Sequence, residues 1–204
     1  MMDILKKGFT LIEVNLAVFI MAGGVLAMIS LYTLGYRENR QSREDVASAA
    51  CADDVMNRLM LALSSTNISW RTWKQLPYIE NGRKSSSDVK SWSDYLDTDG
   101  GGSWRVRADP YNMAKNAFNS ITDKISSEVR KDSHLSKALS CPEKPGTGTG
   151  KMTFALVAFR DSEDSSVMSI SMRVVRDSRW RSLMSQPIFF TEVHFQGNMN
   201  EEAN

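Results

Sequence analysis

Lys6-Lys7-Gly8-Phe9-Thr10-Leu11-Ile12-Glu13-Val14 decides how this chain is read, because the stretch it opens carries no charged side chain from Val14 to Tyr36. As a helix that stretch measures about 34 Å, enough to cross the ~30 Å hydrocarbon core of a bilayer. Glu13 is the exception at its entrance, a carboxylate that is costly to desolvate and calls for a partner. Residues 9 and 13 are four apart and share a helix face, so a positive group at Phe9 is one such partner. The positive end of the helix dipole is another, and would suffice for a plain signal anchor. The small residues Gly23, Gly24 and Ala27 also resemble the cleavage region of a secretory signal peptide.

Beyond Tyr36 the sequence turns polar at once, yet no Pro or Gly appears until Pro77, so a helix can continue out of the apolar run. Ala49, Ala52, Met56, Leu59, Met60 and Leu63 recur at gaps of three and four, which predicts an amphipathic half ending at Ser64-Ser65-Thr66-Asn67. Asn81 to Ser103 is rich in Ser, Asp and Gly and is expected to be a long exposed loop. Asp109-Pro110 marks a helix start, with Ala114, Ala117, Phe118, Ile121, Ile125 and Val129 on one face and a pattern that extends toward Leu139. The last third is β. Met152 to Arg160 and Val167 to Val175 flank the turn residues Asp161 to Ser165, and Ile188 to Phe195 supplies a third strand. Phe154, Leu156, Val157 and Phe159 are apolar on both faces, which predicts a central position for the first of these. The fold class expected is α+β: a long N-terminal helix, half for lipid and half packed on an antiparallel sheet, with an inserted second helix.

The Gly8-Phe9-Thr10-Leu11-Ile12-Glu13-Val14 motif and the run after it resemble the N-terminus of type IV prepilins and of the pseudopilins of type II secretion. The resemblance implies a leader at 1–8, a membrane and filament-core half of the helix at 9–36, an amphipathic half at 37–66 and a globular pilin-like domain at 67–204. It implies that a prepilin peptidase/methyltransferase cuts after Gly8 and methylates the new terminus Phe9. Glu13 becomes the fifth mature residue, pairing with that amine in a neighbouring subunit during assembly. The implied partners are other pilin or pseudopilin subunits and an inner-membrane assembly platform. The implied location is the bacterial inner membrane, crossed once with the C-terminal domain in the periplasm, before incorporation into a pilus or pseudopilus. Major pilins often carry a proline in the membrane half; Ser30 stands there in this chain, after Gly23-Gly24, and the inserted helix is a further addition. Both departures resemble a minor pilin or minor pseudopilin more than a major subunit.

The other residues with chemical potential point nowhere as sharply. A net charge of +1 gives no field for nucleic acid, and no nucleic-acid partner is expected. Cys51 and Cys141 lie on the expected extracytoplasmic side, where a disulfide persists, and both a bridge and two separate thiols stay open. Asp97 and Asp99, beside Gly100-Gly101-Gly102, offer two carboxylates for calcium, but the third acid and distal Glu of an EF-hand are missing and a plain turn is preferred. Gly146 to Lys151 has the wrong spacing for a phosphate loop. His134 and His194 have no ligand-spaced companions, Ser residues lack a nucleophile elbow, and neither an enzyme nor a cofactor is expected. A monomeric membrane-anchored extracytoplasmic binding protein is the competing reading, with Trp70, Trp73 and Trp92 serving a partner.

Overall fold

The computed structural model describes residues 10–64, 68–85, 90–98, 104–107, 110–125, 130–143 and 151–199. The leader, Gly8, Phe9, Asp99, the Asp109 cap, Val129, the linker from residue 144 and the tail from residue 200 lie outside the described residues. The chain divides into two units, Met1–Asp45 and Val46–Asn204, and its architecture is α+β.

The first unit is helix. α1 runs from Leu11 to Ala62, and within it the apolar run is long and apolar enough to cross a membrane, with a mean hydropathy of 2.2 over its best window. None of that window is buried, and Phe19 is 81% exposed. The aliphatic hydroxyls inside the run bond the helix's own backbone: Ser30 Oγ donates to the Leu26 carbonyl at 2.9 Å and Thr33 Oγ1 to the Ser30 carbonyl at 2.8 Å. Such bonds let Ser and Thr sit in an apolar helix without unmet polar groups.

In the second unit the closing turns of α1 bury Cys51, Ala52, Val55, Met56, Leu59 and Ala62. Of the predicted stripe, Ala52, Met56, Leu59 and Leu63 are buried; Ala49 is half-buried and Met60 exposed, while Cys51, Val55 and Ala62 also face inward. α2 (Trp70–Lys74) is capped by the Ser69 hydroxyl, which accepts from the Thr72 N–H at 3.3 Å. β1 (Ile79–Glu80) and β2 (Arg83–Lys84) form a hairpin about Asn81-Gly82, both with positive φ, the geometry for which Asn-Gly is suited. A 3-10 turn (Trp92–Tyr95) leads into β3 (Leu96–Thr98), which pairs with β4 (Trp104–Val106). The span expected to be one exposed loop therefore carries two short strands, a turn and the buried Tyr95.

α3 (Pro110–Thr122) begins where Asp109-Pro110 predicted and buries Tyr111, Ala114, Ala117, Phe118 and Ile121. It does not run on to Leu139. The chain turns at Asp123 and Lys124, and a separate α4 (Ser133–Ala138) starts after Asp132, whose carboxylate accepts from the N–H groups of His134 and Leu135 at 2.8 and 3.3 Å. The main sheet is antiparallel in the order β5 (Met152–Phe159), β6 (Val167–Arg176), β7 (Phe189–His194), with a 3-10 segment (Asp177–Ser185) between the last two.

The order corrects the sequence expectation, since the strand apolar on both faces is at an edge and β6 is central. Apolar side chains on both faces report that both faces are covered, not that both edges are paired. On one face Phe154, Leu156 and Ala158 join α1, α2 and α3 in the larger core. On the other Ala155 and Val157 pack with Tyr95, Val106 and Leu183. The edge itself is occupied by side chains and loop backbone in place of a strand. Tyr95 Oη donates to the Leu156 carbonyl at 2.7 Å and accepts its N–H at 3.1 Å. Burial raises the Tyr95 pKa, keeping the phenol protonated for that donation. Further along, Arg160 N–H reaches the Pro77 carbonyl and the Arg160 carbonyl takes the Ile79 N–H. Tyr95→Phe, which removes both partners of Leu156, is expected to cost about 2 kcal/mol, measured by urea denaturation of the full-length chain in detergent.

Candidate assembly site at the start of the N-terminal helix

Thr10 and Glu13 build the entrance to α1. The Thr10 N–H and hydroxyl each donate to Glu13 Oε2 at 3.2 Å, and the Glu13 N–H donates to Thr10 Oγ1 at 3.3 Å. This reciprocal pairing is a capping box, in which a hydroxyl at the cap and a carboxylate three residues on satisfy each other's orphan backbone donors. The sequence carries that signal as Thr10-x-x-Glu13. The box places the carboxylate against the Thr10 N–H.

The remaining candidates are dispersed. Trp70 and Trp73 are not a binding surface: they are buried in the larger core and stack on Phe195 at 5.1 and 5.4 Å, and Trp73 Nε1 donates to the Ser165 carbonyl at 2.8 Å. Trp92 is half-buried under the Arg173 guanidinium, 5.0 Å from its ring. Asp97 is exposed on β3 opposite Arg105. Among the described residues no three His, Cys, Asp or Glu side chains converge to hold a metal. His134 and His194 are exposed.

Cys51 and Cys141 are both free thiols, so the bridge left open by the sequence is not formed in this structure. Both belong to the larger core, Cys51 buried within it and Cys141 packed at its margin. The Arg58 guanidinium steadies the segment before Cys141 by donating to the carbonyls of Lys137 and Ser140 at 3.1 and 3.2 Å, while its Nε bonds Asp54 at 3.0 Å. Burial, with Asp54 and Cys141 nearby, pushes the Cys51 thiol from 9.0 up to about 12. Burial likewise pushes Cys141 up to about 11, against the pull of Lys115 and Arg58.

Arg160, directly after β5, carries no motif that marks it in the sequence. Its guanidinium is buried and donates to four backbone carbonyls: Lys74 at 2.7 Å, Leu76 at 2.9 Å, Ser165 at 3.3 Å and Glu163. Tyr78 lies under it, ring centroid 5.7 Å away. Burial lowers its pKa, while Glu163, Tyr78 and Asp164 act to raise it. A fork of fixed donors suits several carbonyls at once where a lysine would not. On the surface nearby, burial pushes the Asp94 carboxyl up, but its bonds to Lys84 and Ser91 outweigh this and hold it below the usual range.

No protein family model, curated protein or solved structure matches this chain.

Two outcomes test this geometry. Arg160→Met leaves four carbonyls short of a donor and is expected to cost about 3 kcal/mol or more in a denaturation experiment. Cys51 is expected to be alkylated at pH 8 at least about a hundredfold more slowly than an exposed cysteine, because the thiolate reacts and its population is suppressed. The raised folded pKa makes the protonated thiols part of the fold's stability. That contribution is full below pH 9 and is lost as the pH rises toward 12.

Proposed function

We propose that the chain is a pilin-like structural subunit, a minor pilin or pseudopilin, inserted in the bacterial inner membrane and processed after Gly8. It is then assembled through its N-terminal helix into a type IV pilus or a type II secretion pseudopilus. The observation that carries this reading is a motif followed by an unburied surface. Gly8-Phe9-Thr10-Leu11-Ile12-Glu13 leads directly into a helix whose apolar side chains are uncovered among the described residues. Lipid covers such a surface in the precursor, and the helices of neighbouring subunits cover it in a filament.

The capping box supports the same reading by giving Glu13 a position before it has a partner. A carboxylate bonded to the Thr10 N–H leaves lone pairs for an amine, either in its own chain or in the next. The competing reading, a tethered binding protein, loses two of its three tryptophans, since Trp70 and Trp73 are spent in the core. The second unit presents a sheet covered on both faces of β5.

The decisive measurement is the intact mass of the protein purified from its native membrane. A chain beginning at Phe9 with one added methyl group is expected; a chain beginning at Met1 or Met2 would sink the proposal. Gly8→Ala is expected to insert normally and stay at precursor length. Glu13→Gln retains an oxygen for the Thr10 cap but removes the charge. It is expected to be cleaved and to lose filament incorporation as fully as Glu13→Ala, which separates the role of the charge from that of the cap.

A further inference from the structure

The segment of α1 just past the apolar run is charged on two sides with opposite sign. At about 100° per residue, Arg37, Arg40 and Arg43 fall within about 120° of one another, while Glu38 and Asp45 fall together about 150° from the centre of that arc. All five side chains are exposed. Arg40 bonds Glu44 at 3.2 Å, and Glu44 lies on the arginine side, so it reduces the positive charge there without cancelling it. Among the described residues Arg37, Arg43, Glu38 and Asp45 have no ion-pair partner. The helix thus has a basic front and an acidic back in one short segment.

We propose that this segment binds a second copy of the chain front to back, with Arg37, Arg40 and Arg43 of one copy against Glu38 and Asp45 of the next. The inference rests on the reading of α1 as a membrane-inserted filament element, and it names the faces that meet. Copies inserted with the same end in the membrane run parallel. A two-fold pair of parallel helices would then set front against front or back against back, which brings like charges together. Front-to-back contact sets opposite charges together and leaves each copy with one unused front or back. It is a heterologous contact that grows instead of closing.

The test uses the full-length chain, co-expressed in membranes with two different tags. Arg37→Glu with Arg43→Glu reverses the front, and Glu38→Arg with Asp45→Arg reverses the back. Each reversed chain alone is expected to lose co-purification with its own second tag by about tenfold or more, since like charges then face each other. Mixing the two reversed chains is expected to restore it, because the negative front of one fits the positive back of the other. Co-purification of the back-reversed chain at the wild-type level would overturn the proposal and point to anionic lipid headgroups as what the arginines meet. Losses that mixing does not repair, or a wild-type chain that never co-purifies, would overturn it as well. Intact mass keeps the two readings apart. Chains that begin at Phe9 but associate without regard to these charges remove only this contact, whereas an unprocessed chain removes the filament reading itself.

Discussion

Between Val14 and Tyr36 the side chains of α1 present a surface that water cannot accommodate cheaply. Each large apolar residue left exposed forgoes about 1.5 to 3 kcal/mol of burial, and this run holds many of them with no cover among the described residues. Two environments relieve that cost, lipid and other helices. The first half of α1 has the Ser30 and Thr33 hydroxyls bonded to its own backbone and no charge from Val14 to Tyr36, which keeps the polar cost of an apolar surrounding low. Its last turns bring Ala52 and Val55, both small, into the core that the sheet also lines.

The second unit solves a different problem. A three-stranded sheet has two edges and little area, and β5 is buried on both faces while lacking a strand beyond it. Unpaired strand backbone in such a place is both unsatisfied and open to pairing with another chain. Tyr95 and the loop around Ile79 fill the vacancy, one with a hydroxyl that serves as donor and acceptor together, the other with a single bridge between Tyr78 and Arg160. Asn81-Gly82 turns the chain immediately after that bridge, which keeps the covering loop short.

Much of this architecture was legible from periodicity. The uncharged run, the alternation of Met168, Ile170, Met172 and Val174, and the Asp109-Pro110 start each declare an element through a local rule that packing then respects. Position within the sheet was not legible, because side-chain polarity reports faces and strand order is written in backbone bonds. α3 stops early for a related reason: Ile125 and Leu139 are both buried, but in a small separate cluster with Ala62, so an apolar spacing that fits one helix belongs to two. The capping role of Glu13 was present as Thr-x-x-Glu. Arg160 left no trace, since a guanidinium that meets only carbonyls has no partner residue to give it away.

Those carbonyls have a mechanical meaning. Two belong to Lys74 and Leu76, in the connection that leads from α1 toward the sheet, and two belong to Glu163 and Ser165, in the turn between β5 and β6. The guanidinium thus ties the segment that follows α1 to the β5–β6 turn, and neither can leave the other without giving up two charge-assisted hydrogen bonds.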